Sequence, residues 1–141
     1  MDRSAARAQA MKLIYEWEMG GDGGEETRLN LLEIDPGESE ADFMNRLFEG
    51  VVNNVSEVDS RLTPFLRGWT LERLTRVDLA ILRLATFELT RNTAPTSVVI
   101  NEAVELANRY STDKAGAFVN GVLGNLARAM DEEQPGGEAG E

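Results

Sequence analysis

The chain has 141 residues, a length that suits one domain or two small subdomains sharing a core, and its 42% hydrophobic content is enough for a globular fold. It contains neither cysteine nor histidine, which excludes thiol nucleophiles, disulfides, zinc–cysteine sites and histidine bases. The formal charge of −11 argues at first against nucleic acid, but residues 20–60 hold eleven acids and two bases, and 131–141 five acids and no base, while 61–91 hold six arginines against three acids.

The first predicted element is a helix over residues 3–19, with Ala6, Ala10, Leu13, Ile14 and Trp17 on one face. GGDGGEE, residues 20–26, stops it and reads as a flexible linker. One or two helical turns follow at 27–34, then a turn at 34–39. Ser39 and Asp42 form a capping pattern ahead of an amphipathic helix that carries Phe43, Leu47, Phe48, Val51, Val52 and Val55. Ser56 and Asp59 repeat the pattern before a third helix ending near Gly68, and residues 70–74 read as a short helical turn. Thr75 and Asp78 give a third cap. The run VDLAILRLATFEL, residues 77–89, is apolar on nearly every side and predicts the central, buried helix. A further helix carries Val99 to Tyr110, and STDKAG, residues 111–116, leads into AFVNGVLGNLARAM, residues 117–130. No two alternating runs are joined by a hairpin signal. The expected fold is all-α, with a helical cluster over 1–68, another over 69–130, and a disordered acidic tail over 131–141.

Chemistry has little to stand on. No phosphate-loop, dinucleotide or nucleophile-elbow motif appears, and lysine is limited to Lys12 and Lys114. No apolar run approaches the roughly 18 residues that span a membrane, and the N-terminus has no signal-peptide core. The expectation is a cytoplasmic protein that is not an enzyme and needs no cofactor or metal. A carboxylate-based enzyme has no positive support in the residues.

Four stretches carry a resemblance: RSAARAQAMKLIYEWE (3–18), LERLTRVDLAILRLATFEL (71–89), APTSVVINEAVELANRYS (94–111) and KAGAFVNGVLGNLA (114–127). In order and spacing they resemble the NusB family of bacterial transcription antitermination factors, from residue 3 to about 129. INEAVELA followed by FVNGVL is the specific part. The resemblance implies two small helical bundles packed roughly perpendicular. It implies binding of boxA RNA together with NusE, a small-subunit ribosomal protein, within the RNA polymerase antitermination complex that acts notably in ribosomal RNA operons. The alternative is a protein-binding helical adaptor of the same fold with little RNA affinity of its own. Homodimer formation is left open.

Site residues follow from the same matches. Arg3 and Arg7 match the family's arginine-rich first helix. They are four apart, so they share a face, and both are expected to be exposed for phosphate contact. Tyr110, Lys114 and Phe118 match the second part of the RNA face. Aromatic rings there would stack bases, although the spacing of Phe118 suits plain core equally well. Tyr15 and Asp78 match positions that face NusE, and Asp78 also suits a helix start behind Thr75. Asn101, Glu102, Asn120 and Gly121 are expected to form an internal polar lock between the last two helices, with Gly121 admitting a close helix backbone.

Overall fold

The computed structural model describes residues 2–20 and 38–133. These residues form six α-helices and no strand: α1 (Arg3–Glu18), α2 (Glu38–Asn53), α3 (Val55–Leu62), α4 (Arg76–Arg91), α5 (Thr96–Tyr110) and α6 (Ala115–Glu133). Short 3-10 turns occupy Thr63–Phe65 and Leu71–Arg73. The linker expected at 20–26 beyond Gly20, the helical turns expected at 27–34, most of the turn at 34–39, the side chain of Ser39 and residues 134–141 lie outside the described residues. Residues 131–133 are the last turn of α6 rather than the start of a tail.

Local chemistry sets the ends. Asp2 caps α1 by accepting from the Ala5 N–H at 2.8 Å. Thr75 caps α4 as expected, accepting from the Asp78 N–H at 3.1 Å. Asn92 closes α4 in the left-handed conformation, φ 53°, which asparagine tolerates. The Ser56 cap does not form. Asn54 leaves helical geometry earlier, at φ −125° and ψ 27°, and its side-chain amide donates to the Gly50 carbonyl at 2.8 Å, so α3 starts at Val55 and Ser56 lies inside it.

The run that is apolar all round is the centre of the molecule. Leu79 to Leu82 and Leu84 to Leu89 of α4 are all buried, and α4 packs against each of the other five helices. One continuous core joins side chains from all six. α1 and α2 pack on one another, α5 and α6 pack on one another, and α1, α2, α5 and α6 each pack on α4. Gly50 lets α2 come close. Its Cα lies against the Phe87 ring of α4, and a Cβ there would sit 2.6 Å from Cε2 and 2.7 Å from Cε1.

Two charged knots tie the helices across this core. Arg83 of α4 forks onto Asp59 of α3 at 2.8 and 2.9 Å and reaches Glu18 of α1 at 3.1 Å. Arg7 of α1 forks onto Glu88 of α4 at 2.8 and 2.9 Å. Glu88 also accepts from the Thr93 hydroxyl at 2.6 Å.

Candidate nucleic-acid and partner interface

The first turn of α1 divides the two arginines that the sequence puts on one face. Arg3, at the helix end, has a side chain 51% exposed; it lies 4.0 Å from the centroid of the Phe43 ring and 3.7 Å from Glu40. Arg7, one turn on, is 5% exposed. The expectation that Arg7 is open to phosphate is therefore corrected. Glu88 is buried among the apolar residues of α4, and a buried carboxylate needs a partner. Arg7 meets it with three hydrogen bonds, and Glu102 of α5 lies 3.6 Å from a further nitrogen. Burial works against the charge on Arg7, but Glu88 and Glu102 more than offset it and raise its pKa.

Farther along, α1 presents Lys12 and Tyr15. The Lys12 ammonium lies 5.1 Å from the centre of the Tyr110 ring, with the Arg109 guanidinium 5.9 Å from the same ring. Tyr110 is thus a half-buried ring between two cations at the end of α5. Tyr15 is 37% exposed.

The start of α6 and the start of α4 meet beyond it. Lys114 is exposed, Phe118 is half-buried, and both line an open pocket of about 230 Å³ with Asp78, Arg73 and Trp69. Asp78 accepts from the Ser111 hydroxyl at 2.6 Å, which holds its carboxylate toward the α5–α6 turn. The structure thereby places Asp78, expected at the NusE face, in one pocket with Lys114 and Phe118, expected at the RNA face. Trp69, 50% exposed, was not singled out in the sequence, where only its position after Arg67 and Gly68 in a turn could have marked it.

The expected polar lock does not form. Asn101 and Asn120 are both exposed. Asn101 lines a groove between α1 and α5, and Glu102 accepts from the Ser4 hydroxyl of α1 at 2.9 Å beside Arg7. Gly121 lies nearest the atoms of a side chain, not of a helix backbone. Its Cα lies under the Arg67 guanidinium, where a Cβ would stand 2.6 Å from Nη2. The internal lock of the molecule joins α1, α4 and α5 through Arg7, not α5 and α6.

Among the described residues no three acids lie close enough together to hold a metal ion, and no helix is long and apolar enough to cross a membrane. Exposed cations beside aromatic rings, set on a six-helix scaffold, define a helical binding module.

The comparisons with known proteins make the class specific. The chain belongs to the NusB family, whose family model matches residues 4–128. It is 43% identical over 140 residues to the transcription antitermination protein NusB of Acetivibrio thermocellus, covering 98% of this chain and 97% of that one. Among solved structures it is similar to T. maritima NusB, with a TM-score of 0.78, 34% identity and coverage of 91% and 92%. It is also similar to a chain in the complex of antitermination factors NusB and NusE with double-stranded RNA, with a TM-score of 0.80, 28% identity and coverage of 90% and 96%.

Proposed function

We propose that this protein is a transcription antitermination factor that binds boxA RNA together with NusE and helps RNA polymerase read through terminators, notably in ribosomal RNA operons. It acts in the cytoplasm as an adaptor rather than as a catalyst. Membership of the NusB family supports this reading, as does the likeness to a chain solved with NusE and RNA. The observation that carries it is two pairings of an exposed cation with a half-buried ring, Lys12 with Tyr110 and Lys114 with Phe118. Single-stranded RNA is held by bases stacked on rings with cations at its phosphates. Arg3, Tyr110, Lys114 and Phe118 contact RNA in this reading, and Tyr15 and Asp78 contact NusE. Arg7 instead holds α1 in place. α4, in the bundle over 69–130, packs against every described helix of the bundle over 1–68, and the two bundles carry the two ends of this face.

The burial of Arg7 favours a second reading. With one exposed arginine in the first turns of α1, the protein could serve as a protein-binding adaptor with little RNA affinity. Readthrough in a purified transcription system separates the two. Adding the protein with NusE to a template bearing boxA ahead of a terminator is expected to raise readthrough, and a boxA-scrambled template is expected to abolish the gain. An equal gain on both templates would favour the adaptor, and no gain would overturn the antitermination reading.

A further inference from the structure

Arg3 does not stand alone. Arg46, one turn along α2 from Phe43, lies 5.7 Å from the same ring, and Arg91, in the last turn of α4, lies 5.1 Å from the Phe87 ring. Together with Thr93 they line an open groove of about 490 Å³. Among the described residues, three arginines and no acid face it. No spacing in the sequence joins Arg3, Arg46 and Arg91, which come from three different helices.

We infer that this groove holds phosphates of the single-stranded RNA backbone and extends the RNA face from Arg3 onto α2 and α4. The inference rests on the RNA-binding reading above. A guanidinium over a ring uses its face, while its N–H donors lie in its plane; those of Arg91 reach the Thr90 hydroxyl at 3.3 Å and Glu57 at 3.5 Å, long contacts that a phosphate oxygen can replace. Phe43 and Phe87 are themselves 3% and 6% exposed, so they fix the arginines rather than offer a surface to bases, and phosphate is the part of the RNA that fits. The carboxylates paired with Arg3 and Arg91 compete weakly. Glu40 is 3.7 Å from Arg3 and Glu57 is 3.5 Å from Arg91, both at exposed cations, where ion pairs contribute little. In a chain of charge −11, a groove whose described lining holds three arginines and no acid is complementary to a polyanion. The forks that α1 lacks, with Arg7 turned inward, are supplied by α2 and α4.

The test measures boxA RNA affinity of the complex with NusE across a salt series. Three variants are compared with the parent: Arg46→Ala with Arg91→Ala, Arg46→Lys with Arg91→Lys, and Arg61→Ala with Arg128→Ala, which makes the same charge change away from the groove. The groove alanine pair is expected to bind roughly tenfold or more weakly at about 0.1 M salt. Its log-affinity versus log-salt slope is expected to be shallower by about one to two units, at roughly 0.7 per phosphate contact. The lysine pair is expected to keep most of the slope but lose affinity, since an ammonium keeps the charge without the fork; it also carries the test if the alanine pair does not fold. The control pair is expected to match the parent. A groove variant equal to the parent in affinity and slope would overturn the groove and leave the RNA reading standing. Equal losses in groove and control pairs would reduce the effect to net charge and overturn it too. A parent complex that does not bind boxA would overturn the RNA reading itself.

Discussion

Arg3 and Arg7 share a helix face, and their surroundings give them opposite tasks. The four-residue spacing was legible in the sequence; the depth was not, because depth depends on where α1 meets α4 and α5. Glu88, the acid inside the apolar run, was the available sign that a cation had to come from elsewhere. Arg7→Ala leaves that carboxylate buried without its partner and is expected to destabilise the fold by about 3–5 kcal/mol. Arg3→Ala is expected to shift stability by no more than about 0.5 kcal/mol while lowering the RNA salt slope by roughly 0.7. Thermal melts and RNA titrations of the two single variants check both, and equal melting temperatures would contradict the assignment of Arg7. Glu18 offers a second test at this scale. Burial pushes its carboxyl from 4.5 up to about 7, against the pull of Arg83, with Arg76 also lowering it and Asp59 raising it. The folded state therefore holds this proton more tightly than the unfolded state. That contribution is full below about pH 4.5 and is lost as pH climbs to about 7, a change of up to about 3 kcal/mol. Glu18→Gln stays neutral throughout, so its melting temperature relative to the parent is expected to rise between pH 5 and 8. A constant difference would show that Glu18 is ionised across the range.

Helices make their own demands, and the two glycines Gly50 and Gly121 separate them. Alanine is favoured over glycine in a helix interior by about 1 kcal/mol. At Gly50 a methyl would strike the Phe87 ring, which is enclosed in the core, so Gly50→Ala is expected to destabilise by about 1–3 kcal/mol net. At Gly121 it would meet only the end of Arg67, an exposed residue that can swing away, so Gly121→Ala is expected to be neutral or stabilising by up to about 1 kcal/mol. Paired thermal melts check the sign of each. The run 77–89 announced the central helix because burial on every side leaves an unbroken apolar pattern. The caps were legible only where no competitor intervened. Thr75 follows a short turn and has the α4 N-terminus to itself, whereas Ser56 lost its place to the break at Asn54. The polar lock failed for a related reason. Asn101 and Asn120 read as interior amides beside apolar neighbours, yet both fall on outward strips of their helices, and only the packing angle of the helices decides that.

Over the whole molecule, charge is sorted rather than averaged. Much of the acid falls in residues 20–60 and 131–141, while Lys12, Arg3, Arg46 and Arg91 stand exposed on the helices and Lys114 in the turn before α6. Family membership and the all-helical fold were legible because INEAVELA and FVNGVL are long continuous stretches. The proposed face was only half legible, because its cations and rings come from five helices and the turn before α6. A protein with few phosphate contacts of its own needs a basic partner to hold RNA at physiological salt, since each added contact releases counterions. The direct measurement is the affinity for boxA RNA as a function of salt, for this protein alone and with NusE. Tighter binding and a steeper slope with NusE are required; equal affinities and equal slopes would contradict joint recognition of the RNA.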